Sequence, residues 1–230
     1  PVREAGVYTG FMTQAVLFDV GNTLILASPR FWLLPFLEER GLKPRRDPKA
    51  AALAAFRFYE DHHLEARDLE TALGLWREFH RRLFTGMGLE EHAEALSREL
   101  VANWRNPRFW PVVPGAEATL QALKRRGYAL AVVSNWDATL PEILEVVGLR
   151  PYFQHLSVSA LVGVAKPDPR LFQEALQALG VPPEEAVHVG DSEADWAGAK
   201  GAGVKPLLFD PLGENPQALH RLEEVLDYLP

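Results

Sequence analysis

The side chains best placed to do chemistry stand at the ends of short apolar runs. Ala15-Val16-Leu17-Phe18 leads straight into Asp19, and Val20-Gly21-Asn22-Thr23-Leu24 follows. Tyr128-Ala129-Leu130-Ala131-Val132-Val133 ends in Ser134-Asn135, and Ala186-Val187-His188-Val189 ends in Gly190-Asp191. An acid at the end of a buried run is costly unless a metal, a cation or backbone N–H groups hold it. Asp191 and Asp195 share one face of a helix, where two like charges are unfavourable without a cation. In Ala165-Lys166-Pro167-Asp168-Pro169 a lysine stands just before a helix, with Asp168 as its N-cap and Pro169 at its first position. Each residue alone has an ordinary explanation: Asp19 and Ser134 as turn caps, Lys166 as a solvated lysine. Together at one sheet edge they suit cation-assisted chemistry at a carboxylate.

Short, uncharged runs bounded by turns read as buried strands of a parallel sheet, whose carboxyl ends carry the ligand site in open α/β folds. From Pro114 onward strands and helices alternate. Strands are expected at 128–133, 155–159, 186–189 and 205–209, and helices at 114–123, 141–147, 169–179, 193–202 and 216–229. This implies a doubly wound, Rossmann-like parallel sheet. Residues 30–104 show only helical periodicity. Its stripes are Phe31, Leu34 and Leu37; Leu53, Phe56 and Tyr59; Leu73, Trp76, Phe79 and Leu83; and Leu89, Ala93, Leu96 and Leu100. They read as the core of a small antiparallel bundle inserted after the first strand, and so as a cap over the carboxyl edge. Segments 12–27 and 106–230 are expected to form the α/β core and 28–105 the helical cap. Met12 reads as the natural start, with residues 1–11 a disposable extension.

Composition narrows the class. The chain has 230 residues, 47% of them hydrophobic, enough for a sizeable core. Its net charge of −7 and the lack of a basic patch with interleaved aromatics argue against nucleic acid. With no membrane-length apolar run and no visible signal peptide, a cytoplasmic protein without membrane partners is expected, as monomer or homodimer. The absence of Cys excludes thiol chemistry and Cys-based zinc sites. Asp61-His62-His63 with Glu65 offers metal-ligand types, but a solvated helix end explains it more simply.

Asp19 to Leu24, Ser134-Asn135, Lys166-Pro167 and Gly190-Asp191-Ser192-Glu193-Ala194-Asp195 resemble, in order, the four motifs of the haloacid dehalogenase superfamily. The resemblance spans nearly everything from Met12 on, and the insert is similar to the superfamily's helical cap. Most members are Mg²⁺-dependent phosphatases that work through an aspartyl-phosphate. The resemblance implies Asp19 as nucleophile, with Asn22 and Thr23 beside the substrate. Ser134 and the Asn135 backbone N–H would hold the phosphoryl group, and Lys166 would neutralise its oxygens. Asp19, Asp191 and the Gly21 carbonyl would ligate Mg²⁺, with Asp195 orienting that shell. The chemistry is consistent with these roles: Mg²⁺ and a lysine supply positive charge where a carboxylate attacks a phosphate dianion.

One position departs from the pattern. The phosphatases usually carry a second Asp two residues after the nucleophile, as general acid and base, and here that position is Gly21. Its loss is worth about 10²- to 10⁴-fold in rate. The expected function is a Mg²⁺-dependent phosphohydrolase acting on a small phosphorylated molecule. A 2-haloacid dehalogenase and a non-catalytic binding protein on the same fold are the alternatives. Phe31 and Trp32 follow the first strand closely and stand either in the substrate pocket or in the bundle core.

Overall fold

The structure, a computed structural model, describes residues 13–27, 29–211, 213 and 215–229. Met12, the segment before it and Ser28 lie outside the described residues. Five parallel strands form one sheet in the order β3-β2-β1-β4-β5: β1 Ala15–Phe18, β2 Ala129–Ser134, β3 His155–Val158, β4 Ala186–Gly190 and β5 Lys205–Leu208. The chain moves from β1 to β2 and β3 on one side, then returns to β4 and β5 on the other, so the order reverses beside β1. That is where such sheets open a crevice at their carboxyl edge. Phe18 lies opposite Val132 on β2 and Val189 on β4, so Asp19, Ser134 and Asp191 leave the sheet side by side.

The strands alternate between two apolar faces. Val16, Phe18, Val132 and Val189 pack with α5 (Ala116–Arg125) and α6 (Leu140–Val146). Leu17, Ala131 and Val133 pack with α8 (Arg170–Leu179) and α9 (Glu193–Gly201). Each large apolar side chain so buried contributes about 1.5–3 kcal/mol. The last described segment departs from expectation. Instead of a helix over 216–229, Leu219 pairs beside Phe209 at the end of β5, and only Leu222–Asp227 winds, as a 3₁₀ turn. Backbone bonds from Leu219 N to Leu208 O and from Asp210 N to Leu219 O hold this stretch extended.

The insert is helical as expected: α1 Leu33–Glu38, α2 Pro48–His62, α3 Leu69–Gly86 and α4 Glu90–Ala102. It has its own core, around Phe36, Tyr59, Phe79, Leu83, Leu96 and Leu100. Two stripes differ from the sequence reading. Leu34 and Leu53 face solvent, and α2 buries Ala51 and Ala55 instead. The cause is close helix approach: a methyl at Gly86 of α3 would stand 2.9 Å from the Ala51 Cβ. Small residues let the two backbones meet, and a leucine stripe would hold them apart. Trp32 belongs to this helical core.

Candidate active site

Asp19 leaves β1 at the carboxyl edge and is almost fully buried. A tight turn follows, in which the Val20 carbonyl accepts bonds from the N–H groups of Leu24 and Ile25, both at 2.9 Å. The left-handed residue of this turn is Asn22, at φ 56°, and not Gly21. Ser134 Oγ donates to Asp19 Oδ1 at 2.9 Å, and Lys166 Nζ donates to the same oxygen at 2.6 Å. Both recorded donors therefore fall on one carboxylate oxygen and leave Oδ2 for chemistry.

Lys166 is itself buried and reaches Asp195 Oδ1, also at 2.6 Å. Asn135 positions it through a reciprocal pair: Lys166 N donates to Asn135 Oδ1 at 2.7 Å, and Asn135 Nδ2 donates to Lys166 O at 3.0 Å. Asp168 accepts from Arg170 N at 2.9 Å, but α8 begins at Arg170, one residue later than expected. Asp195 forms a capping box with Ser192 and accepts from His188 Nε2 at 2.7 Å. Gly190 makes this possible, because a Cβ there would stand 2.3 Å from the Asp195 carboxyl carbon.

The electrostatics follow from burial and pairing. Burial would raise Asp195, but Lys166 and His188 overcome it and hold the carboxyl well below the usual range. Burial would lower Lys166, but Asp19 and Asp195 outweigh it and raise the ammonium. Burial raises Asp19 in spite of Lys166. Asp191 is pushed up to about 7 by burial and by the charges of Asp19 and Asp195. Carboxylate oxygens of Asp19, Asp191 and Asp195 all lie within 4.8 Å of one another. Beside them the Asn22 Oδ1 atom is buried with no partner among the described residues. An all-oxygen, over-charged cluster of this kind fits a hard divalent cation such as Mg²⁺.

These groups floor a cleft of about 590 Å³, walled by Asp19, Gly21, Asn22, Ser134, Asn135, Lys166, Asp191 and Asp195. Thr23 is not on its wall: it is fully buried, with a hydroxyl that has no partner among the described residues. Trp32 lines a separate apolar hole of about 30 Å³ among the helices. In the run 61–65, read as a solvated helix end, Asp61 and His62 are exposed, but His63 turns inward, its Nε2 3.0 Å from Ser159 Oγ.

Sequence reasoning missed the opposite wall. Phe56, Tyr59, Trp76 and Trp136 face the same cleft. Tyr59 Oη donates to buried Asp137 Oδ2 at 2.7 Å, and the Trp76 side chain also bonds Asp137. Trp76, Trp110 and Trp136 form a triangle with ring centroids 5.8–6.4 Å apart. His188 was missed too. A histidine in the middle of an otherwise apolar buried strand was the available signal.

A doubly wound, Rossmann-like sheet gathers a carboxylate, a hydroxyl and a lysine at its carboxyl edge, and the sequence profile it matches is that of a class of hydrolases. The chain belongs to the haloacid dehalogenase-like hydrolase family, whose sequence profile matches residues 13–203. It is 38% identical over 171 residues to the haloacid dehalogenase-like hydrolase domain-containing protein 3 of Bos taurus, covering 67% of this chain and 68% of that one. It is 42% identical over 147 residues to a phosphoserine phosphatase of Thermus thermophilus, covering 60% of this chain and 58% of the relative, which is under two thirds of its length. A crystal structure of a HAD phosphatase from Thermococcus onnurineus superposes with a TM-score of 0.63 at 27% identity, covering 94% of this chain and 97% of that one. Among the described residues no helix is long and apolar enough to cross a membrane.

Proposed function

We propose that the protein is a Mg²⁺-dependent phosphohydrolase that cleaves a small phosphorylated molecule through an aspartyl-phosphate on Asp19. The observation that carries this reading is the buried Lys166 ammonium, held 2.6 Å from both Asp19 and Asp195 beside the acidic cluster. Asp19 attacks with its free oxygen while Ser134 and Lys166 hold the other. Lys166 offsets negative charge as it develops on the phosphoryl oxygens, and Ser134 and the Asn135 N–H orient them. Asp19, Asp191 and the Gly21 carbonyl would hold Mg²⁺, which would supply charge neutralisation when bound. Asp195 is already committed to Lys166, His188 and Ser192, so its part is to orient. Residues 28–105 act as the cap and 12–27 with 106–230 as the catalytic core. The name of the Thermus relative supports a phosphate monoester as substrate.

The test is Mg²⁺-dependent phosphate release, together with capture of the Asp19 phosphoenzyme analogue by a metal fluoride. Chloride release from 2-chloropropionate in the presence of chelator would instead assign dehalogenase chemistry to Asp19.

A further inference from the structure

We propose that the substrate is the phosphate ester of a flat, phenol-type alcohol, whose ring lies in the aromatic half of the cleft. The proposal rests on the phosphohydrolase reading and names its substrate class. Two independent features converge on it.

The first is shape. Opposite the charged floor, the cleft wall is made by Phe56, Tyr59, Trp76 and Trp136. A Cβ at Gly21 would meet the Trp136 ring at 3.5 Å, an ordinary contact, and its φ lies outside the left-handed region. Neither space nor backbone geometry requires glycine there. The missing side chain leaves a gap about one methyl wide between the Gly21 backbone and the Trp136 ring, next to the nucleophile, and the room for a ring lies further out along Phe56, Tyr59 and Trp76. Aromatic faces hold flat rings well and are tolerant of their substituents.

The second is the supply of protons. Of the titratable groups on the wall, Asp195 and Lys166 are bonded to each other. Tyr59 Oη donates its hydrogen bond to Asp137. Both ring nitrogens of His63 are engaged, Nδ1 with Glu60 O at 2.9 Å and Nε2 with Ser159 Oγ at 3.0 Å. Asp19 and Asp191 belong to the nucleophile and metal cluster. Glu60 alone is exposed at the rim without a partner among the described residues. With the inner groups engaged and Glu60 out at the rim, the leaving oxygen departs as its anion. A phenol, with a pKa of about 10, tolerates this far better than an alkyl alcohol does.

The two steps balance on that basis. An Asp19 oxygen bonds to phosphorus as the ester P–O bond breaks, and the phenolate leaves with the electron pair and takes a proton from solvent. Water then attacks phosphorus, the bond from phosphorus to the Asp19 oxygen breaks, and phosphate leaves as HPO4²⁻ with one proton of that water, while the other returns to solvent and replaces the one the phenolate took.

The experiment measures kcat/KM of the full chain with Mg²⁺ on substituted phenyl phosphates, acetyl phosphate and O-phosphoserine. Phenyl phosphate is expected to exceed phosphoserine by about 10²-fold or more, with a steep dependence on leaving-group pKa. Phe56→Leu should lower the phenyl-to-acetyl phosphate ratio several-fold through KM, and Glu60→Gln should leave the phenyl-to-phosphoserine ratio unchanged. Phosphoserine turned over as well as phenyl phosphate overturns the proposal but keeps the phosphohydrolase. So does a tenfold loss on phenyl phosphate in Glu60→Gln, which would reveal a proton donor. A preference for acetyl phosphate that Phe56→Leu leaves unchanged points to an acyl phosphate instead. Release from none of the three overturns both readings.

Discussion

The floor and the roof of the cleft are built on opposite principles. The floor is ionic: Asp19, Lys166 and Asp195 form one buried chain of contacts, each at the end of a strand or the start of a helix. The roof is neutral and aromatic, and its polar atoms turn away from the cleft into Asp137 and Ser159. A buried charge is expensive without its partner, whereas a buried ring is expensive only through its lost contacts. The floor should therefore fail all at once when one member is removed, and the roof by degrees.

Removing the nucleophile should have the largest effect. Asp19→Asn is expected to lower phosphate release by about 10⁴-fold or more while the protein stays folded by circular dichroism. Wild-type turnover in this variant would remove Asp19 from the mechanism. Lys166→Met comes next, because it leaves Asp19 and Asp195 buried together without their cation. Denaturant titration should show a loss of about 3–5 kcal/mol. A loss below that of a roof variant would break the contrast between floor and roof.

Gly21→Asp should act on rate in the other direction. The site has room for a Cβ and an ordinary φ, so the backbone accepts a side chain there. Turnover of alkyl phosphates should rise by about 10²-fold, with a flatter dependence on leaving-group pKa. Equal slopes in the two proteins would show that the proton already comes from elsewhere. Tyr59→Phe tests the roof. It removes one donor from buried Asp137 and should cost about 1–3 kcal/mol in a melt, with a smaller effect on rate than any floor variant.

The smallest expected effect is a pH dependence of Mg²⁺ binding. Asp191 is raised to about 7 when the cluster holds no cation. Its stabilising contribution to the metal-free protein is thus present in acid and is lost as pH rises through 7. Mg²⁺ must displace that proton below 7, so its apparent affinity should fall about tenfold from pH 8 to pH 6. Thermal shifts with and without Mg²⁺ at pH 6 and pH 8 would check the sign: the metal-induced gain must be larger at pH 8.

What was legible in the sequence follows the same division. The sheet could be read because its strands are short apolar runs closed by turns, and Asp19, Ser134 and Asp191 are the first polar groups at the ends of such runs. Thr23 failed as a substrate contact because the turn folds it inward, and sequence spacing alone does not determine that. The roof could not be read because helical aromatics look alike whether they pack in a core or face a cleft. Trp76 does both, packing against the helical core and the sheet core at once. Leu53 misled because only the close approach of Ala51 to Gly86 shows that α2 buries its small residues.

The loop from Ser134 to Thr139 serves both regions. Ser134 and Asn135 face the floor, while Asp137 takes donors from Tyr59 in the helices and from Thr139 within the loop itself. The two halves are therefore not interchangeable parts. A chimera that grafted another relative's helices onto this sheet would strand Asp137 as a buried carboxylate short of donors, a few residues from the hydroxyl that holds the nucleophile. Exchanging the helices alone would disturb the loop that supports the nucleophile, and a working graft must carry this loop with them.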